Sequence, residues 1–470
     1  MAHIKVKRGL DIPIEAGPET SGEHTDIGIL EKPKQIAYDF TSFENVKLRP
    51  LVKAGDMVKI GQPLCEDKDV PGRMFASPAA GVVFDVRRGE KRKLLAIVIT
   101  VAEHEEYIEK NPLAENPAKV GSLSKDALIK ELLAGGLFAH IRSRPFNLLA
   151  NPAKPPRSIF VKAVESAPFL PSAELQVLGK EREFQVGLAA LKKLTDGPVH
   201  LVFRHDTPCK AFLEANGVEK HTVQGPHPAA NASLHINAID PIKRIDDVVW
   251  TVNTLDVIAI GHFLIHGKIA TDRIVSIAGE MIVTQKRGYF RARVGHLIEA
   301  LVAARLVERK DALQQPVRII SGDVLTGDKV ELTDFLGFSH TSLCALSDAT
   351  SRQFLHFFRL GKDQYTASGA YLSGHLNPTT HKWSFTTSQH GEERAFIDGS
   401  VYERVMPLPV LPMQLVRALL SQDFELAEFH GLLEVDAEDF ALPEFVCPSK
   451  IEMMGIVKSG LQQYAKDSLG

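Results

Sequence analysis

"VKAGDMVKIGQPLCEDKDVPGRMFASPAAGVV", Val52 to Val83, decides how the first part of this 470-residue chain folds. Short apolar runs alternate with glycines at Gly55, Gly61, Gly72 and Gly81. Glycine takes positive φ at no steric cost, so this spacing predicts β-strands joined by tight turns. The texture extends outward in both directions. "HIKVKRG" and "QIAYDF" precede the stretch, and "GVVFDVRRG" and "KLLAIVITVAE" follow it, with Gly89 between the last two. No run before residue 105 has a helical period, so this part reads as an all-β module.

The framing phrases "VKAGDMVKIGQPL" and "SPAAGVV" resemble those of the barrels that carry a biotinyl or lipoyl arm on a hairpin-tip lysine. Here the tip reads "CEDKDVPGRM". Lys68 stands between Asp67 and Asp69, Val70 to Gly72 reshape the turn, and no Met-Lys-Met is present. The expectation is a barrel whose attachment site is gone.

The length predicts about three or four domains. A hydrophobic content of 44% with 24% charged residues is that of a soluble globular protein. With 55 basic against 58 acidic residues, the chain lacks the surplus that a sequence-independent nucleic-acid binder needs, so nucleic acid is excluded as a partner. No apolar window reaches the roughly 18 residues of a membrane span. The richest, Val257 to Ala270, is cut by Gly261, His262, His266 and Lys268. The N-terminus has no apolar signal core, so we expect neither a signal peptide nor a transmembrane helix. Cys65, Cys209, Cys344 and Cys447 lie more than a hundred residues apart, which argues against a disulfide framework, a zinc knuckle or a contiguous iron–sulfur motif.

From about Lys125 the period changes. "SKDALIKELLAGGLF" offers Ser124 as N-cap, apolar Leu128, Leu132 and Leu133 at helical spacing, and a stop at Gly135-Gly136. "RSIFVKAVES" is a buried-strand pattern. "EREFQVGLAALKKLT" aligns Phe184, Leu188 and Leu191 on one helical face, and "PVHLVFR" and "KHTVQGPHPA" add strands. Strand, helix and strand in this order predict a βαβ-based α/β domain. "TDRIVSIAGEMI" (271–282) and "QPVRIISGDVLTG" (315–327) are strands ending in glycine, with the amphipathic "GHLIEALVAARLVE" between them as a helix, which predicts a small α+β domain. The last hundred residues are helical in period. Asp436, Glu438 and Asp439 favour a helix start there.

Four stretches carry possible chemistry. "GDVLTGDK" (Gly322–Lys329) misses the phosphate-loop pattern, because Asp328 precedes Lys329 and Val330 replaces the metal-binding hydroxyl; we read a turn. "LLAGGLFAHIRSRPF" brings His140, Arg142 and Arg144 beside Phe138 and Phe146. It reads either as a clamp for an anionic or carbonyl-bearing ligand, or as a capped helix followed by a basic turn with two core aromatics. In "GPHPAANASLHI" His227 and His235 are poorly spaced for a metal, so a structural loop is expected, though α/β sheets bind ligands at such loops. Cys447 in "FVCPSK" has no second thiol near it and reads as a packing cysteine.

"KRGLDIPI", "FASPAAGVV", "HIRSRPF", "GPHPA", "DRIVSIAG", "ISGDVLTG", "YERVMPL" and "FVCPSK", in this order, resemble the A-subunit family of the bacterial sodium-translocating NADH:quinone reductases. That family is similar to the C subunit of the Rnf electron-transport complex and to the NADH-binding subunit of respiratory NADH dehydrogenase. The resemblance implies a multidomain α/β and α+β protein. Its parts would be a biotinyl/lipoyl-carrier-like β barrel (1–105), a Rossmann-like α/β domain (106–260), a small ubiquitin-like or SLBB-like α+β domain (261–375) and a helical C-terminal domain (376–470). The glycine-rich flavin loop of the relatives would be reduced to Gly135-Gly136 followed by bulky Leu137 and Phe138, and their cluster motif to Cys447. The resemblance thus implies no catalytic, cofactor-binding or metal-binding residues in this chain, with FMN, FAD, riboflavin and Fe–S held by partner subunits. It implies a peripheral protein at the cytoplasmic face of the bacterial inner membrane, in a six-subunit complex that oxidises NADH, reduces ubiquinone and exports Na⁺. Its main partner would be the large membrane-embedded B subunit. Ubiquinone would be the ligand, held by Phe138, His140, Arg142, Arg144 and Phe146 and by the Tyr38–Leu48 segment with Tyr38 and Phe43. A purely structural subunit is the alternative.

Overall fold

A computed structural model of the chain describes residues 1–19, 26–43, 45–308, 316–350, 358–369, 371–376, 381–391 and 393–469. Glu44 of the Tyr38–Leu48 segment, Gln315 and parts of the expected 261–375 and 376–470 domains therefore lie outside the described residues.

The Val52–Val83 stretch folds together with its flanks, from Gln35 to Val101, as two facing sheets. One runs Gln35–Asp39, Leu94–Val101, Gly81–Arg88, Met57–Val58; the other runs Leu48–Pro50, Pro63–Asp67, Met74–Ala76. Ile36, Phe40, Leu64, Phe75, Ile97 and Ile99, all fully buried, fill the space between them. The turn glycines Gly55, Gly61 and Gly72 have positive φ, and among the described residues only a three-residue 3₁₀ turn, Glu90–Arg92, interrupts the β-structure of this module. The tip that would carry an arm is clasped. Asp67 and Arg73 form a buried ion pair at 2.7 Å, and the Arg73 Nη2 donates to the Ala150 carbonyl of the next domain. Exposed Lys68 sits on a tip held against its own chain.

The second layer is a seven-stranded sheet in the order His3–Lys5, Glu219–Gln224, Val199–Arg204, Ser158–Ala163, Val249–Asn253, Arg142–Arg144, Leu148–Leu149. The first five are parallel and the last two antiparallel. Along Ser158–Ala163, Ile159, Val161 and Ala163 face one core and Phe160 the other, so both faces are covered, as a parallel sheet requires. On one face lie Lys125–Ala134, Glu181–Leu194 and Thr254–His266. Ser124 caps the first through the Ala127 N–H, as its sequence predicts. On the other face lie Ala232–Ile239 and the C-terminal helices Pro412–Leu420 and Met453–Leu469. The C-terminal helices thus share one core with the sheet. The acidic start is a capping box between Asp436 and Asp439. Cys447 is buried 3.2 Å from the Tyr402 hydroxyl.

A six-stranded mixed sheet follows, in the order Asp328–Val330, Val317–Ser321, Ser342–Ser347, Asp272–Ala278, Gly288–Arg293, Ile27–Ile29. "GDVLTGDK" is the hairpin turn between the first two of these strands, with Asp323 accepting from the Leu325 and Thr326 N–H groups. Two features differ from the sequence reading. "GHLIEALVAARLVE" forms only a short helix, Ile298–Val302, and a 3₁₀ turn, because its ends are drawn into bridges at His296, Leu297 and Leu306. The first thirty residues do not stay in the barrel: His3–Lys5 joins the parallel sheet and Ile27–Ile29 the mixed one. Strands this short carry no register of their own and are placed by whichever sheet edge they meet.

Candidate functional site

In the parallel sheet the chain runs outward from Ser158–Ala163 through Val199–Arg204 to Glu219–Gln224, then returns to the opposite side as Val249–Asn253. The strand order therefore reverses between Ser158–Ala163 and Val249–Asn253, and a crevice opens beyond the carboxyl ends of such a pair. A cleft of about 300 Å³ lies there, lined also by Tyr38 of the barrel, Arg273 of the mixed sheet, Phe338 of the turn leading into Ser342–Ser347, and Glu438 of the C-terminal segment.

The Thr254 hydroxyl donates to the Lys162 carbonyl at 3.0 Å and ties the two strand ends. Lys162 and Glu165 form an ion pair at 3.1 Å. Burial raises the Glu165 pKa despite Lys162, and it raises that of Glu438 with help from Asp439 and Asp436. Across the cleft the His140 Nδ1 stands 2.6 Å from the Asp256 carboxylate, and the His140 ring lies 4.9 Å from Phe338. Phe338 also stacks on Tyr38 at 5.3 Å and meets Phe43 edge-on at 5.1 Å. Arg142 lies over the Phe43 ring at 5.4 Å, and burial lowers its pKa. Arg273 donates to the Phe338 carbonyl at 2.6 Å, which fixes the aromatic wall to a guanidinium; burial lowers the Arg273 pKa. Burial also holds the Tyr38 pKa far above its ordinary value, so the phenol stays a neutral donor.

The sequence candidates thus separate. Tyr38, Phe43, His140 and Arg142 gather around Phe338. Phe138 is fully buried against Trp250, and Phe146 packs on Tyr464 in the other core. Arg144 is buried beside the Ser233 hydroxyl at 2.9 Å and Asp436 at 3.9 Å. His227 and His235 are held structurally, by Ser166 and by the Ala229 carbonyl, and His235 lies within a helix rather than a loop. Sequence reasoning missed Phe338, Arg273, Asp256, Glu165 and Glu438. A usable signal existed for one of them: "VVWTVNTLD" is a strand running straight into a helix, which places Asp256 at a sheet's carboxyl edge.

The cleft combines an aromatic wall with neutral or fixed donors, while the carboxyl groups of Glu165, Asp256, Asp323 and Glu438 also line it. That set suits a flat carbonyl-bearing ligand better than a polyphosphate. Gly135 and Gly136 line the cleft, and their missing side chains leave room for close packing on the other side. A Cβ on Gly135 would meet Phe263 at 2.7 Å, and one on Gly136 would meet the Ala76 backbone nitrogen at 3.1 Å, so both glycines serve packing.

Residues 4–102 match the family model described as NqrA N-terminal barrel-sandwich hybrid domain, 123–269 match NqrA second alpha/beta domain, and 274–331 match NQRA C-terminal domain. The A subunit of the Na(+)-translocating NADH-quinone reductase of Saccharophagus degradans is 36% identical over 465 residues, covering 99% of this chain and 100% of that protein. The corresponding protein of Chlamydia pneumoniae is 35% identical, covering 99% and 98%, and that of Yersinia pestis 34%, covering 99% and 100%. With this identity along almost its whole length and the three domain types in order, the chain belongs to the NqrA family, the A subunits of the Na(+)-translocating NADH-quinone reductases.

Proposed function

We propose that this chain is a peripheral, cytoplasmic-face component of a complex that oxidises NADH, reduces ubiquinone and exports Na⁺, and that its cleft holds a quinone head group. One observation carries this reading: two segments about a hundred residues apart in sequence, around Tyr38 and around His140, converge on Phe338 at the mouth of the crevice. The ring packs against the wall that Tyr38 and Phe338 form together. One carbonyl accepts from Arg273 and the other from His140, which Asp256 orients. The carboxyl groups that line the cleft support a chain without flavin, and four separated thiols, Cys65, Cys344 and Cys447 of them buried, support one without an iron–sulfur cluster. Among the described residues no helix is long and apolar enough to cross a membrane. Attachment then falls to surface contacts with membrane partners, the B subunit foremost.

Titration of the full chain with a short-tail ubiquinone, read by calorimetry, tests this. Saturable binding that weakens by roughly tenfold or more in Phe338→Ala and His140→Ala, about 1.4 kcal/mol, is the expected result. Binding that survives both substitutions, or no binding, leaves the purely structural role as the better reading. In the assembled complex the same variants lower quinone reduction while NADH oxidation by an artificial acceptor is unchanged. An absorbance spectrum of the isolated chain is expected to show no flavin or iron–sulfur bands.

A further inference from the structure

Away from the cleft, the helices Glu181–Leu194 and Thr254–His266 cross at two glycines. A Cβ on Gly261 would lie 1.7 Å from the Glu183 carbonyl oxygen, and one on Gly187 2.1 Å from that of Val257. Only a crossing this close brings the first turn of one helix against the last turns of the other. It sets Glu183 beside His262 and His266, which their i, i+4 spacing places on one helical face with ring centroids 4.5 Å apart. The His266 Nε2 is 3.7 Å from a Glu183 carboxylate oxygen, and one donor atom from each of the three side chains lies within 4.8 Å of the others.

We propose that Glu183, His262 and His266 form a binding site for a divalent transition-metal ion of the zinc class, joining the two helices where the α/β domain hands over to the strand Asp272–Ala278. Two imidazole nitrogens and a carboxylate oxygen are a borderline donor set that such ions prefer. Donors around a tetrahedral ion with bonds of about 2.0–2.1 Å stand about 3.4 Å apart, so the present spacing closes with small side-chain rotations. His266 is exposed and His262 and Glu183 are partly so, which leaves entry from solvent and a fourth position for water. Among the described residues neither imidazole is committed to a hydrogen bond, and the one competitor is the Lys180 ammonium, 3.8 Å from Glu183 and free to swing away.

A second cluster, His200, Glu219 and His221, fails the same comparison. There the Ala2 N–H donates to the His221 Nδ1, so the ring proton sits on Nε2, 3.0 Å from the His200 Nδ1. That arrangement is a hydrogen-bond chain. A metal on the His221 Nε2 would force a proton onto Nδ1, against the Ala2 N–H.

Chelator-stripped full-length protein titrated with Co²⁺, followed by its visible d–d absorption and then displaced by Zn²⁺, tests the site. The expected result is a single equivalent of Co²⁺. Its affinity should fall by more than about tenfold in His266→Ala and in the isosteric Glu183→Gln, a loss that removal of even an outer partner of a ligand causes. Affinity should be unchanged in Glu219→Gln. Near-UV circular dichroism shows whether each variant is folded. Absence of binding in the parent chain, binding unaltered in both site variants, or binding lost in Glu219→Gln overturns the assignment.

Discussion

His235 is only 1% exposed, and its Nε2–H donates to the Ala229 carbonyl at 2.8 Å. Burial holds its pKa down to about 4, and that of His227 likewise, against an ordinary 6.5. The unfolded chain therefore binds more protons than the folded one between those values, and stability is lost as pH falls from about 6.5 towards 4. Thermal melts from pH 7 to 4.5 should show this decline, with a shallower slope in His235→Gln. Glu438 acts oppositely. Its raised pKa means that the folded chain keeps a proton which the unfolded chain releases above about 4.5, so its contribution falls as pH rises. Glu438→Gln should therefore raise the melting temperature at pH 8 and lose that advantage below pH 4.5. Neither effect was legible from the residue types. Both histidines sit in a loop-like phrase, and Glu438 in a helix-start phrase, and only the layer folded over each one sets its environment.

Among elements, those that carry their own boundary signals were legible. Ser124 and Gly135 delimit one helix, and the Phe184, Leu188 and Leu191 stripe locates the buried face of another. Elements whose form depends on a distant partner were not. The short helix at Ile298 gives up its flanks to bridges, and of the glycines within the two crossing helices Gly261 read from sequence only as an interruption of an apolar run. Their meaning lies in the partner: Gly261→Ala forces a methyl group into the Glu183 carbonyl. Overpacking of this kind costs about 1–3 kcal/mol. Urea unfolding of Gly261→Ala should show a loss of that size, and Gly121→Ala, whose Cβ would meet nothing within 4 Å, should show none. The candidate site divides along the same line. His140 and Arg142 were visible in one phrase, but Phe338 and Arg273 reach the cleft from another domain.

At the scale of the molecule, Met57, Val82 and Phe84 stand exposed on adjoining strands of the barrel, Met57 directly opposite Val82. Phe84, two residues beyond Val82 at the bulge between Val83 and Asp85, is exposed as well. If this apolar patch seats a membrane partner, Phe84→Glu should leave the chain folded and reduce its co-purification with the rest of the complex, as a pull-down reads. The barrel's glycine-framed phrases made the module itself legible, whereas its clasp to the second domain through Arg73 and Ala150 was not, because it joins residues 77 apart.

His3–Lys5 is an edge strand whose partner residue Thr222 stands 219 residues further along the chain. Loop closure of that length comes only after both ends exist. During synthesis, then, the barrel can close while its own leading segment waits unpaired until Glu219–Gln224 has been made. It acts as a latch set from the front of the chain onto a strand made 219 residues later, so the first residues written are fastened to a domain other than the one they lead into.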